Sequence, residues 1–288
     1  MVAQAFRYLA AGEVAEALDA LAEHGEDAKI LAGGQSLVPM MHLRLARPDI
    51  VVDINRLPGL DQISAVDGEL RIGALVRHRS LERPVADDPL GTLLAAAARH
   101  VGHLPIRCRG TFAGSLAHAD PAAEWCLIAV AVGARLVLTS ASGQRVVAAD
   151  DFFDYPFATA LRPDELITEV RLPLLGAGTG VAFRERAPTA GTFAQVAACA
   201  TVTAEENKVT AARLAICGVA GRPLALPSAV GPLLGTGPSD RIVAEVRDRV
   251  LATVDPPEDP LLPADYRRAL AAELAAAAVA EAIEEARR

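Results

Sequence analysis

The stretch ILAGGQSLVPMMHLRLARPD, residues 30–49, places four small residues and a glutamine between an apolar run and a Met/Leu segment. Gly33 and Gly34 permit positive φ and let another group approach the main chain closely. Successive backbone N–H groups in such a turn can bind an anion. A lone Gly-Gly pair is also common in ordinary turns. The stretch therefore predicts either a tight turn or a backbone-lined ligand-binding loop.

A second stretch of the same kind, RCRGTFAGSLAHADPAAEW, covers residues 107–125 and again combines small residues with hydroxyl side chains. Two such loops facing each other can hold a diphosphate between N–H groups and hydroxyls with little help from cations. Neither stretch carries the lysine of a Walker A motif, and the sequence contains no G-x-G-x-x-G. The pair of loops therefore disfavours a P-loop NTPase and an ordinary Rossmann site.

Composition narrows the class of protein. The chain has 288 residues, 52% of them hydrophobic and 22% charged, which suits a soluble globular protein with buried cores. A formal net charge of -8 opposes nucleic acid as a partner. No apolar run reaches the roughly 20 residues of a membrane span, and the N-terminus lacks a signal-peptide pattern, so we expect a cytoplasmic protein.

Cysteine spacing bears on metal sites and disulfides. The four cysteines form no C-x-x-C pair, which argues against a zinc ribbon, an iron-sulfur cluster and a secreted disulfide framework. We expect buried free thiols at all four positions, namely Cys108, Cys126, Cys199 and Cys217.

Hydrophobic periodicity divides the chain into three segments: 1–57, 58–175 and 176–288. The first two read as α/β units, and the third reads as three antiparallel strands with helices. The predicted elements of the first two segments are a helix at 14–24, strands at 29–32, 50–54 and 69–74, helices at 89–100 and 122–132, a hairpin with Ser142-Gly143 at its tip, and the closing segment ELITEVRLP at 165–173. Those of the third are strands within 180–187, 196–204 and 209–220, and a C-terminal helix opening at Pro263 and presenting Tyr266, Leu270 and Leu274.

Several residue groups suggest catalysis or metal binding, but we favour structural roles for them. His100-x-x-His103 has no third ligand nearby, so a metal site is disfavoured. Ser115, His118 and Asp120 are too close in sequence to form a hydrolase triad, and no G-x-S-x-G occurs. We expect Asp120 to cap the following helix and Trp125 to lie in the core. The sequence therefore predicts no catalytic side chain and no metal ligand.

The two stretches resemble the flavin motifs of a known family. AGGQSLVPMMHLRLARPDIVVDI and RGTFAGSLAHADPAAEW are similar to the first and second motifs of the FAD-binding medium subunit of molybdenum hydroxylases, as in carbon monoxide dehydrogenase and, more distantly, the flavin domain of xanthine dehydrogenase. The resemblance covers essentially the whole chain. It implies an α+β fold with a PCMH-type (vanillyl-alcohol-oxidase-like) FAD-binding module of two α/β subdomains and a C-terminal domain of three antiparallel strands plus helices.

The resemblance also implies site residues. Residues near the FAD diphosphate and ribityl chain would be Ala32, Gly33, Gly34, Gln35, Ser36, Leu37, Thr111, Ala113, Gly114 and Ser115. Val101 would lie near the isoalloxazine ring, and Glu124, with Asp120 as a competitor, would bind the adenosine half. Leu161 and Arg184 align with positions at the adenine end and the flavin edge. Ala113 replaces a family glycine, so its methyl group is expected to crowd the diphosphate.

By the same resemblance, the chain would be an electron-transfer subunit without hydroxylase activity of its own. Its partners would be a large molybdopterin subunit and a small [2Fe-2S] subunit, in a dimer of heterotrimers, and FAD would pass electrons to a final acceptor. Two alternatives stay open: a stand-alone FAD-dependent oxidase of the same fold, and a scaffold subunit that has lost flavin affinity.

Overall fold

The computed structural model describes residues 3–237 and 239–288. Its strands are β1 (Arg7–Ala10), β2 (Ala28–Leu31), β3 (Ile50–Asp53), β4 (Ile63–Val66), β5 (Glu69–Gly73), β6 (Arg135–Ser140), β7 (Gly143–Ala148), β8 (Phe153–Tyr155), β9 (Ala158–Thr159), β10 (Leu166–Pro173), β11 (Thr179–Arg186), β12 (Val196–Glu205), β13 (Lys208–Cys217) and β14 (Leu224–Ala225). Its α-helices are α1 (Val14–His24), α2 (Leu37–His42), α3 (Pro89–Ala98), α4 (Leu104–Arg109), α5 (Phe112–His118), α6 (Glu124–Val132), α7 (Ala149–Phe152), α8 (Pro227–Val230), α9 (Asp240–Thr253) and α10 (Ala264–Glu285).

The first sheet is parallel, with strand order β1-β3-β2. Helix α1 has the predicted bounds and buries Ala17, Leu18 and Leu21. Strand β2 ends at Leu31, one residue before the predicted end, so Ala32 already belongs to the loop that follows. The carboxyl ends of β2 and β3 therefore lie side by side at the edge where this loop begins.

The second sheet is antiparallel, with strand order β4-β5-β10-β6-β7. The predicted hairpin is present, but its turn is Ala141-Ser142, because Gly143 is already the first residue of β7. Helix α6 is buried on every side and begins at Glu124, two residues after the predicted start. A helix that is apolar all round is typical of a core position between layers.

The third sheet is antiparallel and lies between two helical layers, with strand order β11-β12-β13-β14. Alternate residues of β12 belong to different cores: Cys199 faces the core shared with α3 and α6, whereas Ala198 and Ala200 face α10. The three predicted strands are confirmed, and the sequence analysis missed β14, α8 and α9.

Helix α10 packs on this sheet mainly through alanines, and of its three predicted residues only Leu270 and Leu274 pack against the core. Tyr266 is 45% exposed, and Leu270 and Leu274 are only partly buried at the margin of the core. Helix α10 and strand β11 approach each other closely, as a Cβ on Gly180 would overlap the carbonyl oxygen of Ala282. The buried residues of the helix are Ala264, Arg267, Ala271, Ala272, Ala275, Ala276, Ala278, Val279, Ala282 and Ile283.

Three predicted local features need correction or comment. Cys126, Cys199 and Cys217 are buried as expected, but Cys108 is only half-buried, with its Sγ 3.7 Å from Nη1 of Arg79. Asp120 accepts the Ala122 N–H at 2.9 Å in the turn before α6, so it is not the helix N-cap, which is Ala123. Across 3–237 and 239–288, no helix has the length and hydropathy needed to cross a membrane.

Candidate functional site

Two loops form the centre of the candidate site. Loop A (residues 32–36) connects β2 to α2, and loop B (residues 110–115) runs from the end of α4 into α5. A Cβ on Gly33 would overlap the carbonyl oxygen of Arg109 and lie 2.6 Å from the Cα of Gly110. The loops therefore touch at Gly33, and a side chain there would separate them.

Loop A offers backbone N–H groups to a ligand. In the part of the chain that the structure describes, none of the N–H groups of residues 33–37 donates a hydrogen bond. Gly34 has φ +73°, a left-handed conformation that suits glycine. The amide of Gln35 donates to the carbonyl oxygen of Gly33 at 3.2 Å, which leaves the N–H side of the loop uncovered. This arrangement suits an anion such as a diphosphate.

Loop B is held by an internal cap. Thr111 is buried, and its Oγ1 accepts the Gly114 N–H at 3.0 Å at the start of α5. A Cβ on Gly114 would lie 2.6 Å from that Oγ1. The Thr111 hydroxyl therefore fixes the loop, while the N–H groups of Thr111 and Ala113 donate no hydrogen bond among the described residues.

The Ala113 methyl does not crowd this surface. Ala113 is 3% exposed and belongs to the main hydrophobic core. The expected clash with a diphosphate is therefore wrong, because the first turn of α5 directs the methyl group into the core. The alanine leaves the backbone of loop B available.

His78 supports loop B from behind and was missed in the sequence. Its backbone N–H donates to the Gly110 carbonyl at 3.0 Å, and a Cβ on Gly110 would come within 2.5 Å of its Nε2. The indole of Trp125, fully buried as expected, donates to its Nδ1 at 2.9 Å. Burial lowers the pKa of His78 to about 4, and the neighbouring Arg77 and Arg107 add to the effect. His78 and Trp125 are far apart in sequence, so no local pattern connects them.

Buried carboxylates lie on the side of the site that faces the C-terminal sheet. Glu124, at the start of α6, is 5% exposed, and burial raises its pKa to about 7. The charge of Glu185 adds to this rise, and that of His100 opposes it. Oε1 of Glu185 is 3.5 Å from Nδ1 of His100, whereas its buried Oε2 has no hydrogen-bond partner among the described residues. Glu185 therefore has an acceptor atom without a partner among the described residues, and Glu124 can accept a hydrogen bond when it is ionised.

The structure separates Arg184 from this cluster. Arg184 is exposed on β11, and its Nε forms an ion pair with Oε2 of Glu281 on α10 at 2.7 Å. Because side chains alternate along a strand, its neighbour Glu185 points to the opposite face, towards His100. Sequence alternation within β11 was the signal that could have identified Glu185.

The other residues predicted for the site differ in how far they are buried and in what they contact. Val101 is 7% exposed with its side chain in the core, so only its backbone can face a ligand. Leu161 is half-buried in a loop held by Arg145, which donates to the Ala160 carbonyl at 2.5 Å and binds Glu165. Asp120, Ser36 and Ser115 are half-buried. Among the described residues, no group of three His, Cys, Asp or Glu side chains could hold a metal ion.

Comparisons with known families cover most of the chain. Residues 4–175 match the FAD binding domain in molybdopterin dehydrogenase, and residues 181–282 match the CO dehydrogenase flavoprotein C-terminal domain. The chain belongs to the FAD-binding medium subunits of molybdenum hydroxylases.

Individual members of this family are similar over nearly their full length. Caffeine dehydrogenase subunit beta from Pseudomonas sp. (strain CBB1) is 35% identical over 96% of this chain and 95% of its own. The carbon monoxide dehydrogenase medium chain of Hydrogenophaga pseudoflava is 36% identical over 95% of this chain and 96% of its own. The solved structure of carbon monoxide dehydrogenase from that organism superimposes with a TM-score of 0.95 at 35% identity, covering 99% of both chains.

Membership in the medium-subunit family identifies the protein as an oxidoreductase subunit with FAD as its cofactor and an α+β FAD-binding fold. Its relatives are subunits of enzymes with several chains. The uncovered N–H groups of loops A and B, with buried carboxylate acceptors nearby, fit a dinucleotide that carries a diphosphate and hydroxyls.

Proposed function

We propose that this medium subunit carries electrons from the [2Fe-2S] clusters of a small partner subunit to a final acceptor, while a large molybdopterin subunit oxidises the substrate. The observation that carries the proposal is the contact of loops A and B at Gly33, with unpaired N–H groups on both loops. FAD supplies one- and two-electron chemistry when bound, so the protein needs no catalytic side chain of its own. We further propose a dimer of heterotrimers.

In this proposal the chain's residues bind and orient. Loops A and B, with Leu37, would hold the diphosphate and ribityl chain through backbone donors, while Glu124 and Asp120 would accept from hydroxyls of the adenosine half. Val101 and Leu161 would contribute backbone at the two ends of the cofactor. Arg184 keeps its proposed place at the flavin edge only if its pair with Glu281 opens. The proposed domain bounds are 1–57, 58–175 and 176–288.

The test uses the complex purified through a tag on this chain. We expect a large and a small partner chain, one FAD per copy of this chain, and iron and molybdenum on the partners only. The complex is reduced with dithionite and reoxidised by NAD⁺, a quinone or oxygen, with and without FAD. We expect loss of FAD to slow reoxidation by the physiological acceptor while the iron-sulfur signal remains reducible.

Other outcomes would identify the alternatives. Oxidation of a substrate by the chain without partners would replace this proposal with a stand-alone oxidase. A complex that assembles without FAD, and whose reoxidation does not change when FAD is added, would indicate a scaffold subunit.

A further inference from the structure

Asn55 and Arg77 join loops A and B on one side of the site. Nδ2 of Asn55 donates to the carbonyl oxygen of Ala32 at 2.8 Å, and its Oδ1 accepts from Nη2 of Arg77 at 2.6 Å. Nη1 of Arg77 donates to the carbonyl oxygen of Arg109 at 2.6 Å. Three hydrogen bonds thus run from the first residue of loop A to the residue just before loop B.

The orientation of the Asn55 amide is determined by its neighbours. On the nitrogen side, Oδ1 of Asp53 lies 2.6 Å from Nδ2 and also accepts the Asn55 N–H at 2.8 Å. Burial opposes ionisation of Asp53, but hydrogen bonds from Tyr8 and Asn55 outweigh it and lower the pKa of the carboxyl group. The nitrogen side therefore meets only acceptors and the oxygen side meets only a donor, a combination that an amide satisfies.

Arg77 suits the other half of this connection. Its planar guanidinium can donate to two acceptors at once in fixed directions. The side chain is half-buried and borders a cavity of about 440 Å³ that Arg56, Asp61 and Ser80 also line. Because the space beside Asn55 and Arg77 is an open cavity, their hydrogen bonds fix the position of loop A relative to loop B on this side.

We propose that Asn55 and Arg77 are positioning residues that set the separation of loops A and B, and thereby the fit of the FAD diphosphate. This inference rests on the proposed function, since it requires the loops to bind FAD. The Ala32 carbonyl and the Gly33 N–H belong to one rigid peptide plane, so a hydrogen bond that fixes the carbonyl also fixes the direction of that N–H.

The test compares Arg77→Lys and Asn55→Asp with Arg56→Lys in the complex after FAD removal. Lysine cannot reproduce the two-acceptor geometry, and the isosteric aspartate faces the Ala32 carbonyl and Asp53 with an acceptor in place of a donor. We expect FAD to bind about tenfold more weakly to the Arg77→Lys and Asn55→Asp variants, the loss expected for a hydrogen bond to a charged group. Arg56 is exposed and donates to neither loop in the described residues, so Arg56→Lys should bind FAD within about twofold of wild type.

Hydrogen exchange of the FAD-free complex gives a second readout that needs no cofactor. We expect faster exchange in both variants at the hydrogen-bonded amides of the two loops and their ends, namely Val38, Gly110, Phe112 and Gly114. We also expect less than additive effects on FAD affinity in the double variant. Unchanged exchange would overturn the proposal, and so would faster exchange with unchanged FAD affinity. If Gly33→Ala also retains full FAD affinity, the loops are not the FAD site, and the proposed function fails instead.

Discussion

Trp125 donates its indole N–H to Nδ1 of His78 at 2.9 Å, and the other nitrogen of that ring faces Gly110 of loop B. Because an indole N–H can only donate, Nδ1 must be unprotonated and the imidazole neutral. Burial, which lowers the pKa of His78 to about 4, agrees with this state. Loop B therefore rests on an uncharged ring.

His78→Gln tests this state through the pH dependence of stability. The pKa of His78 in the folded protein lies below its ordinary value of 6.5. The contribution of His78 to the free energy of unfolding is therefore complete above pH 6.5 and is lost as the pH falls towards 4. This pH-dependent loss amounts to about 3 kcal/mol in the wild type. The glutamine variant should not show it, because glutamine does not titrate, although it keeps an acceptor for Trp125. Urea unfolding of both proteins at several pH values measures the difference. Parallel pH profiles would contradict a neutral buried His78.

Glu124→Gln should change stability in the opposite direction. The pKa of Glu124 in the folded protein, about 7, lies above its ordinary value of 4.5. The contribution of Glu124 to the free energy of unfolding is therefore complete below pH 4.5 and is lost as the pH rises through 7. The glutamine variant should therefore gain up to about 3 kcal/mol relative to wild type above pH 7 and nothing at pH 4. Urea unfolding of FAD-free protein checks this. Equal stability of the two proteins at pH 8 would show that Glu124 is not buried as described.

Gly33→Ala should separate the two loops. The added Cβ meets the backbone of Arg109 and Gly110, which cannot rotate away as a side chain can. We expect a loss of about 2 kcal/mol in the free energy of unfolding and weaker FAD binding. Gly176→Ala is the matched control, because nothing lies within 4 Å of a Cβ there. Similar results for the two variants would mean that the loops do not touch.

Ala113→Gly should leave the cofactor site unchanged although it restores the glycine of the family motif. The methyl group lies in the core, so we expect FAD affinity within about twofold of wild type. Stability should fall by about 1 kcal/mol, since glycine is a poorer helix residue than alanine. Thermal unfolding and FAD titration measure the two effects. A tenfold gain in FAD affinity would instead place the methyl group against the ligand.

Local sequence was enough to predict the elements with strong periodicity. Helix α1 and the three long strands of the C-terminal sheet follow their apolar patterns, and the small residues of loops A and B indicated a close backbone approach. The alanines of α10 were not singled out, because alanine contributes little to a periodicity analysis. The buried face of the helix nevertheless consists mostly of alanine.

The missed parts of the candidate site depend on contacts between distant segments. His78 acquires its role from Trp125, and Asn55 acquires its role from Arg77, so neither pair has a spacing that a motif could reveal. Burial of Glu124 follows from the third sheet covering α6, and the pKa of its carboxyl group depends on that tertiary environment. Sequence patterns indicated the two loops of the candidate site, whereas the electrostatics around them required the folded chain.

The contact between loops A and B links the folding of two layers to the cofactor. Loop A follows a small parallel sheet of three short strands, whereas loop B belongs to helices stacked beside the antiparallel sheet. Neither layer alone carries both sets of N–H donors, so in the proposed site FAD would bind well only when the layers are docked. By mass action, FAD at a hundredfold excess over its Kd would add about 2.7 kcal/mol against their separation. The cofactor would therefore serve as a reversible cross-link that makes the N-terminal layer unfold together with the rest of the protein.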